Sequence, residues 1–210
     1  MSDNLQTLRE DLDYMKALAR EGRHAPLLGG AVLVIAGLSF GTASLACWLI
    51  GTGVVPVDTQ WINGAWAISG LVFMAGLFTA RSRYGTRPGA LATNNRAVQA
   101  VWMGSGWAIF AFAVAIAGMA IRQHAENPVF YFALFAPFIL SVYGISWTVA
   151  AVMSGKRWIW TVALSCYAAA VGLGWMGGTL DQFLAYAAAL YLLAALPGFL
   201  LMRGEPSDVI

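Results

Sequence analysis

The stretch that decides the fold is Val129–Met153, VFYFALFAPFILSVYGISWTVAAVM. It runs 25 residues without an Asp, Glu, Lys, Arg or His. About 20 helical residues cross a hydrocarbon core of roughly 30 Å. The run shows no apolar–polar alternation, so a barrel strand is excluded, and a helix that satisfies its own backbone is the remaining way to span. Five more stretches share these properties: Leu27–Ile50, Trp61–Ala80, Val98–Ile121, Trp158–Gly178 and Gln182–Met202, each 20 to 24 residues long and free of those five residue types. A central charge costs about 2.5–3.5 kcal/mol on insertion, so segments this clean insert unaided.

Composition agrees. Of 210 residues, 60% are hydrophobic and 10% charged, against about 45–50% and about 25% in soluble domains. A soluble enzyme, a nucleic-acid-binding domain and a disordered chain are all excluded, because none keeps so much apolar surface in water. The sequence therefore predicts an all-α integral membrane protein, a six-transmembrane-helix bundle with an N-terminal cytoplasmic amphipathic helix. Residues 1–26 form that helix and a linker, 27–203 the membrane domain, and 204–210 a short cytoplasmic tail.

Basic residues set the direction. Arg9, Lys16, Arg20 and Arg23 precede the first span; Arg81, Arg83, Arg87 and Arg96 follow the second; Lys156 and Arg157 follow the fourth; and Arg203 ends the sixth. Arg122 alone falls on the other side, beside Asp58, Glu126 and Asp181. The positive-inside rule then places both termini in the cytoplasm. Ten Arg against two Lys, with abundant Ala and Gly, suggest a bacterial inner membrane, and residues 1–26 lack the pattern of a secretory signal.

Outside the spans, Leu5, Leu8, Leu12, Met15 and Ala19 make one apolar stripe on Asp3–Arg20. This helix either lies on headgroups or docks a cytoplasmic partner. The loop bearing Arg81, Arg83, Arg87 and Arg96 is a topology determinant and is placed to attract anionic headgroups.

Chemistry is scarce. His24 and His124 sit at opposite membrane faces, so they share no metal. His124, Glu126, Asp58 and Asp181 make a weak metal constellation in the outer loops, with no spacing that fixes them together. Cys47 and Cys166 lie at different depths and read as small apolar side chains. Gly104-Ser105-Gly106 lacks a nearby base, and its glycines are expected to let helices pack closely. No Walker loop, HExxH or CxxC motif occurs, and no cofactor is expected. The spans hold no coupling charge, which disfavours proton- or sodium-driven transport.

Within the spans, Ser141, Tyr143, Trp147 and Thr148 cluster along span four as a candidate ligand-binding patch. Gly37, Gly41 and Ser44 form a small-residue stripe that either closes the monomer or makes a dimer. Pro137 is expected to bend span four, and Pro197-Gly198 to release a carbonyl and hinge span six. The deeper tryptophans Trp66, Trp102, Trp107 and Trp147 either bond between helices or line an aromatic pocket. Two functions follow from these features. The first is a non-catalytic protein acting by association, as an accessory, assembly or signalling partner, with a homo-oligomer or another protein as its company. The second is a passive or weakly coupled carrier or channel for a neutral or lipophilic molecule.

Overall fold

A computed structural model describes residues 27–84, 92–122 and 133–205, without the side chains of residues 83 and 84. The expected N-terminal helix, His24, Arg87, His124 and Glu126 lie outside these residues. Six helices are long and apolar enough to cross a membrane. They are α1 (Gly30–Gly51), α2 (Trp61–Tyr84), α3 (Thr93–Arg122), α4 (Phe135–Ser154), α5 (Arg157–Trp175) and α6 (Asp181–Arg203). No strand occurs among the described residues. Several helices outrun the apolar stretches, α3 most of all at 30 residues, because a helix continues past hydrocarbon while its polar ends find water.

Neighbours pack in the series α2, α1, α6, α5, α4, α3. Contacts along each pair show alternating directions. Going up α1, Gly30 meets Gly198, Gly37 meets Ala195, Gly41 meets Tyr191, and Ser44 Oγ donates to the Phe183 carbonyl at 2.7 Å. This α1–α6 seam is tight because its residues are small. A Cβ on Gly37 would lie 2.6 Å from the Ala195 nitrogen, and one on Gly198 would lie 2.8 Å from the Gly30 oxygen. Such close approach raises the dispersion contact that holds helices together in lipid, where no hydrophobic force does so.

Arg81, Arg96, Lys156, Arg157 and Arg203 gather at one end of the bundle, and Asp58, Arg122 and Asp181 at the other. At the basic end, Glu205 closes the start of α1. Its Oε1 accepts from the Gly29 and Gly30 N–H groups at 3.1 Å each, two of the donors a helix leaves open at its N-terminus. Asn95 Oδ1, at the start of α3, accepts the Leu28 N–H at 3.1 Å. At the opposite end, Trp48 Nε1 donates to Asp181 Oδ1 at 3.2 Å and ties α1 to the start of α6.

Burial divides the six helices. α4 and α6 have 56% and 50% of their spanning windows buried, whereas α2 and α3 have 6% and 11%. α2 rests on α1 through Phe40, Phe73 and Trp66, and α3 on α4 through Phe112, Phe135 and Phe138. α4 and α6 are the core, and α2 and α3 are its flanks.

Candidate functional site

The interior face of α4 carries Ala136, Ile139, Leu140, Tyr143, Ser146, Trp147 and Ala150, spaced by three and four as one helical face requires. Two of the four candidate ligand residues, Tyr143 and Trp147, stand on it. Ser141 and Thr148 do not. Ser141 Oγ donates to the Pro137 carbonyl at 2.9 Å, and Thr148 Oγ1 to the Gly144 carbonyl at 2.8 Å and pairs with Tyr167 of α5 at 3.4 Å. The patch therefore splits over two faces, and the Ser141 and Thr148 hydroxyls are spent on the backbone of their own helix.

Tyr143 and Trp147 instead join Trp102 of α3, which meets both rings edge-on with centroids 5.2 Å and 5.5 Å away. One turn deeper along α3, Ser105 Oγ pairs with Ser146 Oγ at 2.7 Å, while Ser146 also bonds the Val142 carbonyl at 3.0 Å. A Cβ on Gly104 or Gly106 would meet nothing within 4 Å, so neither glycine stands at a close helix contact within this chain. Ser105 faces the neighbour, and its glycines flank it outward. Trp107 is likewise 67% exposed and meets Phe110 edge-on, away from the core.

Trp147 is fully buried, and its Nε1 donates to the Leu193 carbonyl of α6 at 3.0 Å. Proline explains that acceptor. Leu193 stands four residues before Pro197, which has no N–H to return. α6 relieves the ring's clash with a π turn over Tyr191–Ala195, in which the Leu196 N–H reaches back to the Tyr191 carbonyl. Pro197 and Gly198 thus sit inside a continuous helix carrying a wide turn.

The other end of α4 repeats the arrangement with the roles exchanged. Ala133 stands four residues before Pro137, and Gln182 of α6 donates Nε2 to its carbonyl at 2.7 Å. The same amide group reaches the Leu173 carbonyl, at the frayed end of α5, at 3.1 Å. Pro137 itself is the third residue of α4, in the first turn, where proline forfeits no helical bond. The expected bend at Pro137 is therefore corrected to a helix start. Pro197 alone frees a helical carbonyl, but at both levels an open carbonyl, Leu193 of α6 or Ala133 just before α4, is taken by a side chain of the opposite helix.

Gly37, Gly41 and Ser44 all face α6 of the same chain. Of the outer-loop constellation, Asp58 Oδ1 accepts the Gln60 N–H at 2.8 Å and Asp181 accepts from Trp48, so the two carboxylates serve separate local bonds. No group of three His, Cys, Asp or Glu side chains suited to a metal occurs among the described residues. Cys47 and Cys166 are buried and free. Arg81 and Arg96 are exposed at the basic end.

Sequence reasoning passed over Gln182 as a site and left Trp102 among the deeper tryptophans. No proline signal pointed to Gln182, because the Ala133 carbonyl that it takes lies before the start of α4. Compared with protein-family models, curated proteins and solved structures, the chain matches none of them.

Proposed function

We propose that the chain is a non-catalytic, multi-pass protein of a bacterial inner membrane, with both termini in the cytoplasm, that acts by association with another membrane protein or a second copy. The observation that carries this reading is the state of α3. Among the described residues its packing is chiefly on α4, and its outward face bears Gly104, Ala108, Ala111, Ala115 and Gly118, recurring in alternating steps of four and three. All five are exposed. Lipid is met as well by Leu or Phe as by Ala, whereas small residues at this spacing let a second backbone approach. α2, packed only on α1, offers Ile68, Leu71, Val72 and Phe78 to the same surroundings. The basic end supports the cytoplasmic placement, and the stripe on Asp3–Arg20 supplies a further docking element.

The test is site-specific photocrosslinking in native membranes. A crosslinker at Ala111 should give a discrete adduct of protein size, which the double substitution Gly104→Leu with Gly118→Leu removes. A crosslinker at Leu164, exposed on α5, should give none. Equal adducts at both positions, or none at Ala111, would refute the reading.

A second reading, passage or binding of a neutral or lipophilic small molecule, draws support from Tyr143 and Trp147 facing the interior. Ser141 and Thr148 take no part in it, because their hydroxyls are committed to their own helix.

A further inference from the structure

The packing series of the bundle is open at both ends. α2 ends it on α1 and α3 ends it on α4, without an extended contact between α2 and α3 among the described residues. Their free faces differ in kind. α2 presents large side chains, Ile68, Leu71 and Phe78, at 56%, 72% and 68% exposure, along one line of the helix. α3 presents Ala115, Ala111 and Gly104, all exposed. A line of large side chains fills the space that a line of small ones leaves open, whereas two small lines or two large lines do not fit so closely.

Depth matches the two lines. α2 begins with Trp61 at the end of the bundle where α3 finishes with Arg122. Counted from that end, Ile68 stands seven residues in, Leu71 ten and Phe78 seventeen; Ala115 stands seven in, Ala111 eleven and Gly104 eighteen. At about 1.5 Å per residue, each large side chain lies within about 2 Å of the depth of a small one. Copies in one membrane share one orientation, so α2 of one and α3 of another run antiparallel with these ends level.

The same end supplies opposite charges. Asp58 lies just before α2, and Arg122 continues the small line of α3 one step of four beyond Gly118; both are exposed. Asp58 accepts the Gln60 N–H, and neither group has an oppositely charged partner among the described residues. Two α3 helices meeting through their small lines would set Arg122 against its own copy, so charge as well as shape selects the unlike pair.

We infer that α3 of one copy packs head to tail against α2 of a second copy, with Ile68, Leu71 and Phe78 seated over Ala115, Ala111 and Gly104 and with Asp58 facing Arg122. The inference rests on the association reading and narrows its partner to the chain itself. A contact between unlike faces leaves one face of each kind free for a further neighbour.

The test co-expresses two differently tagged copies of the full chain and oxidises native membranes. Leu71→Cys in one copy with Ala111→Cys in the other should give a mixed-tag disulfide, and so should Ile68→Cys with Ala115→Cys. Ile68→Cys with Gly104→Cys, about 16 Å apart in depth, should not. Cys47 and Cys166 are buried and stay in place, and the chain without added cysteine sets the background. Should one pair lower the folded fraction on size exclusion, the other carries the comparison. Asp58→Arg in the Leu71→Cys copy should lower the mixed disulfide about threefold, and Arg122→Asp in the Ala111→Cys copy should restore it. A crosslinked adduct at Ala111 with a different protein, and no mixed-tag disulfide, would leave association standing and overturn this inference; no adduct at Ala111 overturns both. Equal yield at the mismatched depth, a disulfide between two copies of Ala111→Cys as strong as the mixed one, or a yield unmoved by charge reversal also overturns it.

Discussion

Replacing Trp147 by Phe should destabilise the bundle, and replacing Pro197 by Ala should remove part of that cost. The indole Nε1 lies 3.0 Å from the Leu193 carbonyl, which Pro197 leaves without its helical donor. Trp147→Phe strands that carbonyl in a buried site, at about 1–3 kcal/mol for an unsatisfied polar group. It also loses packing of a fully buried ring, roughly another 1–2 kcal/mol. Pro197→Ala restores an N–H within reach of Leu193, so in that background only the packing part remains. The two substitutions should thus couple by about 1 kcal/mol, a little above the roughly 0.6 kcal/mol average for hydrogen bonds between membrane helices. The assay is equilibrium unfolding of the four proteins in mixed micelles on raising the dodecyl sulfate fraction. Circular dichroism is the readout, since tryptophan fluorescence changes with the substitution itself. If Trp147→Phe costs the same with and without Pro197, the carbonyl is satisfied some other way and the account of the π turn is wrong.

Three further outcomes are expected. Gly37→Leu drives a side chain into the Ala195 backbone and should cost about 3 kcal/mol or prevent folding, whereas Gly118→Leu, with open space around it, should leave monomer stability within about 0.5 kcal/mol; comparable losses of folded protein on size exclusion would contradict the α1–α6 seam. Glu205→Ala removes the cap from Gly29 and Gly30 and should cost about 0.5–2 kcal/mol, with faster amide exchange confined to the first turn of α1; unchanged exchange there would show that the carboxylate does not cap. Ser105→Ala leaves Ser146 bonded to Val142 and should cost less than about 1 kcal/mol in the same unfolding assay, so a larger loss would mean that the hydroxyl pair does more than join two flanking helices.

The six long apolar helices were legible because hydropathy over about 20 residues is a one-dimensional property, and neighbouring residues decide it together. The candidate patch on span four was not, because contiguity along a helix is not proximity across it. Each residue turns the direction by about 100°, so Ser141 and Thr148, two turns apart, share a face that Tyr143 and Trp147 do not. Helical spacing held that information, and grouping by sequence neighbourhood discarded it. The carbonyl released by Pro197 was also readable from proline's missing N–H. Its partner was not, since Trp147 lies 46 residues earlier and only the packing of α4 beside α6 brings it there. Gly37, Gly41 and Ser44 announced a close contact without naming the other surface. In lipid, one small-residue stripe suits a neighbour in the same chain as well as one in another.

An apolar surrounding would make Pro197 matter beyond its own helix. Apolar side chains gain little by leaving hydrocarbon for a protein interior of similar polarity, so leucine and alanine contacts alone leave helices free to slide and rotate. A freed carbonyl is different, because it has a fixed depth and direction and its donor must arrive at that point. The Ala133 carbonyl, open just before α4, is one such point, met by Gln182, and the Leu193 carbonyl freed by Pro197 is another on α6, met by Trp147. Moving α6 by one residue along α4 means a rise of about 1.5 Å and a turn of about 100°, which breaks both bonds at once. Two bonds facing opposite ways therefore specify a register that neither could impose alone. α2 and α3, which rest on α1 and α4 outside these two bonds, take no part in setting it.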